Sequence, residues 1–163
     1  MGSKKFRSPS DSAVEATHLV LPQDTNALGT AFGGKIMEWM DIAAAVAAGR
    51  HVAGPVVTVA VDDMHFSQPI RLGDVVVIHA SVNHTGRTSM EVGVKVDRED
   101  SATLRREHCL SGYFTFVGVD KNGRPIPIPQ LTPQTDSEKR RYENAELRRQ
   151  HRLNQLQNNS VGK

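Results

Sequence analysis

Cysteine is nearly absent: Cys109 is the only one in 163 residues. That excludes an intramolecular disulfide framework and a cysteine-based zinc cage, and a reducing cytoplasm is the expected home. Long apolar runs are missing too. The longest stretches without Asp, Glu, Lys or Arg, Val75–Gly86 and His108–Val119, are twelve residues each. A membrane-spanning helix needs roughly 20. No apolar segment follows the basic start of the chain, so no secretory leader is expected. Net charge is small, +2, and uneven. Residues 136–163 hold seven Lys/Arg against four Asp/Glu, and the rest thirteen against fourteen. The basic character belongs to the tail, so the body has no electrostatic case for nucleic acid. What is present, 38% apolar residues at a mean hydropathy of −0.40, suits one globular domain.

Three regions separate by composition. Residues 1–12 carry Lys, Arg, Ser and Pro without periodicity and are expected to be disordered. Residues 13–135 form the domain. Ala13–Leu21 reads as a strand ended by Pro22, and a turn-prone stretch leads to Gly33-Gly34. From Gly33 to about Arg50 the sequence predicts a helix, with Gly49 or Gly54 as its cap. Its apolar residues go almost all the way round, which predicts burial on most sides. Lys35, Glu38 and Asp41 form one narrow polar stripe.

After the helix the period changes to two. Val56–Phe66, Val75–Thr85, Thr88–Val96 and His108–Val119 read as strands. Met90, Val92, Val94 and Val96 share one face, with Ser89, Glu91, Gly93 and Lys95 on the other. A charged hairpin-like loop spans Asp97–Glu107, and prolines stop further structure after Gly123. Residues 136–163 are expected to hold a basic helix from Ser137 to about Leu156, either a solvated face or a cover for a phosphate. Short turns imply antiparallel neighbours. One long buried helix then needs a sheet wrapped about it, which is the α+β hotdog arrangement. Its open sheet edge is expected to pair with a second copy.

The chemistry concentrates at the helix start. Gly33 and Gly34 present N–H groups that no helical carbonyl satisfies, and with the helix dipole they suit a developing oxyanion. Asp41, two turns further on, is a candidate general base or nucleophile, or else a carboxylate bonding backbone at a subunit interface. Ser111 lacks the G-x-S-x-G context of a serine hydrolase. His18, His65, His79, His84 and His108 show no ligand spacing and read as surface or strand positions, so no metal is expected. Asp62-Asp63 reads as a solvated strand position, and Cys109 as an inert strand thiol.

The run N-x-x-G-x-x-F-G-G (Asn26–Gly34), with Met40-Asp41, Val57–Asp62, Phe66–Asp74 and Thr85–Val92, resembles the hotdog acyl-CoA thioesterases over about residues 15–145. It is most similar to the bacterial acyl-CoA hydrolases related to brain acyl-CoA hydrolase. The resemblance implies hydrolysis of acyl-CoA to fatty acid and coenzyme A without metal or organic cofactor. It implies that Asn26 positions the thioester carbonyl or the water, and that Asp41 is base or nucleophile. Gly33 and Gly34 would bind the oxyanion, and Gly86, Arg87, Thr88 and Ser89 would meet the coenzyme phosphates. From the residues alone that last stretch reads more readily as a plain hairpin turn with a solvated arginine. The resemblance further implies a homodimer whose sites combine Asn26 of one subunit with Asp41 of the other, assembled as a trimer of dimers. Phe32 stands where some relatives carry histidine. The alternatives are a non-catalytic acyl-CoA or nucleotide-binding regulator, favoured only by the basic tail, and a hotdog dehydratase. The dehydratase would require a catalytic histidine with an acidic partner, and no histidine is expected on the central helix.

Overall fold

The computed structural model describes residues 6–161, with side chains to Gln157. Two short strands, β1 (Phe6–Arg7) and β7 (Gln130–Leu131), pair in parallel. The main sheet holds β2 (Val14–Leu19), β3 (Val56–Val61), β4 (Val75–Thr85), β5 (Ser89–Glu99) and β6 (Arg106–Gly118). All its pairings are antiparallel, in the order β2-β4-β5-β6-β3. Two helices complete the fold, α1 (Gly33–Val52) and α2 (Asp136–Val161).

The sheet curls around one side of α1. Ile36, Met40, Ala43, Ala44, Ala47 and Ala48 on that side are buried. Small alanines let the helix sit close to the sheet, and Val92, Val96, Phe114 and Phe116 fill the space between. The inward face predicted for β5, from Met90 to Val96, is at most 2% exposed.

Several expectations are corrected. The helix is not buried on most sides: Met37, Ile42 and Val46 are 41–56% exposed, because one curled sheet covers one side only. Its left-handed cap is Ala53 (φ 58°), not Gly49 or Gly54, so the helix runs on to Val52 and carries His51, a histidine not expected on it, whose Nε2 lies 2.8 Å from the Pro129 carbonyl at the end far from Gly33. The Val56–Phe66 strand stops at Val61. The charged loop shrinks to six residues, since ion pairs Arg98–Glu107 (2.7 Å) and Arg106–Glu99 (2.7 Å) zip β5 to β6. Of the N-terminal twelve, residues 1–5 lie outside the described residues. Phe6–Ser12 are ordered by pairing with β7 and by Arg7 Nη1, which donates to the Arg50 carbonyl (2.7 Å).

The C-terminal helix is not a solvated face either. Glu91, 3% exposed on the outer face of β5, accepts two hydrogen bonds from Arg148 (3.2 and 2.7 Å) and two from Arg152 (both 3.2 Å). Arg152 also pairs with Asp62 (2.7 Å), so that carboxylate is engaged rather than simply solvated. Arg148 lies 3.6 Å over the Tyr113 ring, and the Tyr142 ring meets that of His84 at 4.6 Å. Ala145 is fully buried beneath them. Thus α2 docks along the back of the sheet through charge and aromatic contacts.

Candidate active site

The loop before α1 is built around Asn26. Its Oδ1 accepts the N–H groups of Leu28 (2.9 Å) and Thr30 (3.3 Å), and its Nδ2 donates to Thr30 Oγ1 (2.9 Å). Gly29 takes φ +71° to close the turn, a conformation that costs a side chain strain. The amide is therefore locked. Its oxygen is fully used, and one N–H remains to donate outward.

The loop ends in the start of α1. Phe32 donates its N–H to the Asp24 carbonyl (2.9 Å), and its own carbonyl accepts Lys35 and Ile36 (3.0 and 3.2 Å). The N–H groups of Gly33 and Gly34 have no partner among the described residues. Both glycines are exposed, and a Cβ on Gly34 would meet nothing within 4 Å. A cavity of about 360 Å³ opens beside them, between Thr30, Gly33 and Ile36 on one side and Phe66, Pro69 and Ile70 on the other.

Asp41 is half-buried on α1. Thr58 Oγ1, from β3, donates to its Oδ1 (3.0 Å), while Oδ2 is without a partner among the described residues. Thr58 was not singled out from the sequence. Its signal is the strand register: Thr58 pairs with the inward-facing Phe116, which turns its hydroxyl toward the helix. No hydrogen bond joins Asn26 to Asp41 within the described residues of one chain.

The Gly86–Ser89 turn is closed by its own backbone. The Gly86 N–H is taken by the Ser89 carbonyl (2.7 Å), so it cannot converge on an anion. The Arg87 and Thr88 carbonyls accept from the N–H groups of Ile128 and Gly118 (both 3.0 Å), tying the turn to the proline-rich segment and to the end of β6. Arg87 is exposed, and its guanidinium has no partner among the described residues.

Histidines fall into two groups. His18 stacks on Trp39 (4.4 Å between centroids, 3° between planes), and burial lowers its pKa. His51 and His84 are buried, and desolvation lowers both. His108 hydrogen-bonds Asp97 Oδ1 (3.2 Å) and Ser111 Oγ (3.4 Å). That line-up sits mid-strand with His108 half exposed. It lacks the sharp elbow and converging amides that make a serine nucleophilic. Cys109 is buried, which pushes its thiol pKa up, in keeping with an inert role.

A long helix cradled by a five-stranded antiparallel sheet, with an unsatisfied glycine-rich helix start and a carboxylate two turns on, is the hotdog arrangement of a thioesterase. The Thioesterase superfamily matches residues 28–104. An uncharacterized acyl-CoA thioester hydrolase of Bacillus subtilis (strain 168) is 38% identical over 154 residues, 94% of this chain and 90% of its own. Among solved structures, an apo-hexameric acyl-CoA thioesterase superposes with a TM-score of 0.89 at 41% identity, covering 93% of this chain and 97% of that one. An acyl-CoA hydrolase of Staphylococcus aureus, solved with butyryl coenzyme A, coenzyme A and coenzyme A disulfide, has a TM-score of 0.85 at 34% identity, covering 96% and 98%. That enzyme has also been solved with an aspartate, an asparagine or a threonine replaced by alanine. The chain belongs to the acyl-CoA thioester hydrolases of the thioesterase superfamily.

Proposed function

We propose that this chain hydrolyses acyl-CoA thioesters to the free acid and coenzyme A, with Asn26, Asp41 and the Gly33-Gly34 amides at the reacting carbon. The observation that carries the reading is Asp41: one oxygen held by Thr58, the other open, on the helix whose first N–H groups are unpaired. A thioester oxygen received by the Gly33 and Gly34 amides gains charge as the carbonyl carbon is attacked. Asp41 Oδ2 drives that attack, as base toward water or as the attacking oxygen itself. Thr58 fixes its orientation. The free Nδ2 proton of Asn26 donates to the carbonyl or to the water. Where water attacks, the thiolate leaves with the proton that Asp41 has taken from the water, giving acid and coenzyme A directly; where Asp41 attacks, the departing thiolate leaves a mixed anhydride on Asp41, and a water molecule then cleaves it, its hydroxyl going to the acyl carbon and its proton to the thiolate. Water and side chains suffice, and no metal or organic cofactor enters the scheme.

The site is completed by a second copy. Asn26 and Asp41 make separate contacts in one chain, and apolar Met37, Ile42 and Val46 lie bare beside Asp41 on α1. The neighbouring edge strand β3 exposes Val57, Val59 and Val61. Covering these residues brings Asn26 of one subunit to Asp41 of the other in a homodimer, and three dimers make a hexamer like that of the hexameric relative. The residues altered in the Staphylococcus aureus enzyme support the trio. Their spacing from asparagine to aspartate is 15 and from aspartate to threonine 17, as in Asn26, Asp41 and Thr58. No helix among the described residues is long and apolar enough to cross a membrane.

Thiol release from a panel of acyl-CoA chain lengths tests the activity. Asp41→Asn is expected to fold and to lose turnover by roughly 10²–10⁴. Wild-type turnover in a folded Asp41→Asn protein would remove the residue from the mechanism.

A further inference from the structure

The space beyond the Gly33 and Gly34 amides is mostly apolar, and methionines close it. The cavity of about 360 Å³ beside them runs between Ile36 on α1 and Phe66, Pro69 and Ile70. Phe66 stands over the helix start: a Cβ on Gly33 would lie 3.7 Å from its Cζ. Ile36 is the last residue of α1 to line the cavity. One turn further on, Met40 is fully buried. Its methyl end and the thioether of Met64 meet over Gly112, which faces inward on β6 between Leu110 and Phe114. A Cβ on Gly112 would stand 2.8 Å from Met40 Cε and 2.7 Å from Met64 Sδ, so any side chain there would have to displace a methionine end.

Met64 is carried on an arch. After β3 ends at Val61, the chain is tied to β6 at two places. The Asp62 N–H donates to the Tyr113 carbonyl (3.0 Å), and the Ser67 N–H to the Cys109 carbonyl (2.8 Å). Ser67 Oγ donates to that same carbonyl (2.8 Å) and doubles the second tie. Between the ties, residues 63–66 make no backbone hydrogen bond among the described residues. Packing against the core holds Met64 in place, and it stays partly exposed. An unbranched side chain with three rotatable bonds can swing there without breaking a strand ladder.

We propose that Met64, with Met40 behind it, forms the floor of the acyl pocket and sets the acyl-chain length that the enzyme prefers. A thioester oxygen on the Gly33 and Gly34 amides fixes where the acyl chain begins, and the chain gains by leaving water along Ile36. Gly33 to Met40 is seven residues of helix, about 10 Å of rise, which is room for a medium-length chain before it meets the methionines. Gly112 is the third part of the device: without a side chain it gives the two methionine ends a recess. A shorter chain leaves apolar wall uncovered and forfeits burial. A longer one has to push Met64 off Gly112, and the arch is the piece that yields. The preference therefore declines gradually above its optimum, where a floor made by a strand would cut it off sharply.

The inference rests on the acyl-CoA reading, and the experiment separates the two. kcat/KM is measured for straight-chain acyl-CoA substrates from acetyl to palmitoyl on wild type, Met64→Ala, Met64→Leu and Gly112→Ala. Met64→Ala removes about three methylenes' worth of side chain, so the optimum should move to chains roughly two to three carbons longer. With each buried methylene worth about fourfold, kcat/KM for those longer chains should rise roughly 15- to 60-fold over wild type. Met64→Leu nearly keeps the volume and should leave the profile in place. Gly112→Ala drives the methionine ends into the cavity and should move the optimum to shorter chains. If that variant fails to fold, Met64→Ala decides alone. The same optimum in folded Met64→Ala as in wild type would overturn the proposal. A change by one common factor at every chain length would overturn it as well, because Met64 would then serve the fold or the chemistry. A wild-type chain that releases no thiol from any acyl-CoA would instead sink the activity itself. Calorimetric titration with fatty acids of the same lengths reads the floor without turnover: the chain bound most tightly should lengthen in Met64→Ala, and an unchanged one would overturn the floor.

Discussion

Glu91→Gln is the sharpest probe of how the C-terminal helix is held. The carboxylate is 3% exposed and accepts four hydrogen bonds from two guanidinium groups. Glutamine keeps the shape, but it removes the charge and turns an NH₂ toward cationic donors. Breaking a fully buried ion pair costs about 3–5 kcal/mol. Here the Arg148 and Arg152 side chains stay 26% and 19% exposed, and Asp62 still pairs with Arg152. Solvent and that second carboxylate bring the cost down to about 2–3 kcal/mol. Since α2 packs on the outside of the sheet, the loss falls on local undocking more than on the core. The population with α2 released should rise roughly 30- to 150-fold, at 1.4 kcal/mol per factor of ten. Amide hydrogen exchange along α2 reads this directly. Trypsin supplies a second reading, because Arg148, Arg149 and Arg152 become cleavable only when the helix leaves the sheet. Exchange in α2 within about threefold of wild type would mean that Tyr142, Ala145 and the Tyr113 contact hold the helix, and the ionic anchor would be refuted.

Mixing Asn26→Ala chains with Asp41→Ala chains should restore activity, because one of the two sites in a mixed dimer inherits both residues. Mixed dimers confirmed by mass that stay as inactive as either parent would place the pair in one subunit. Acidification should destabilise the fold through its buried histidines. For His51, burial is the largest effect and lowers the folded pKa. The Pro129 carbonyl and Asp11 oppose that shift, and Arg7 adds to it. The unfolded chain therefore takes up the proton first, and stability is lost as pH falls from about 6.5 through the folded pKa. Thermal melts from pH 7.5 to 5 should show a shallower decline in His51→Gln than in wild type; an identical slope would clear His51 of the effect.

The elements easiest to read were those bounded by a change in chemistry. Strand β4 occupies Val75–Thr85 as expected, because Asp74 and Gly86 bracket an uninterrupted β-rich run. Gly33, Gly34 and Asp41 stood out because bare or polar positions lead into and interrupt an apolar helix, whereas Asn26, in a stretch that is polar throughout, was marked only by the family resemblance. What stayed hidden shares a different cause. The docking surface of α2 is made by Arg148, Arg152, Glu91 and Tyr142, and charged residues read as solvated unless their partners are known. Glu91 and Arg148 are 57 residues apart, a separation at which no local periodicity can pair them. Thr58 was hidden for a related reason: inside a valine-rich strand a threonine is an ordinary β-former, and only its register opposite Phe116 turns it toward Asp41.

The miss on α1 runs the other way and carries the most information. Its apolar residues nearly encircle the helix, which predicted burial on most sides, yet one chain leaves Met37, Ile42 and Val46 open. About half exposed, each such residue forfeits on the order of 1 kcal/mol of burial while that surface stays in water. Val57, Val59 and Val61 add to the loss on an edge strand whose outer backbone groups are free to pair. The composition of α1 therefore fits the proposed assembly better than it fits a single chain. Asp41 lies on this same open side, next to Ile42, with Thr58 reaching it from the edge strand. In the homodimer proposed above, burying the apolar surface and completing the site are one event: the partner that covers Ile42 also removes water from around Asp41 Oδ2. In an excluded-water site the charge on that oxygen interacts more strongly with a thioester carbonyl than it would in solvent. A dissociated chain should be both less stable and inactive. Dilution that splits the dimer should therefore lower thiol release and stability together, and full activity in a demonstrated monomer would break the link.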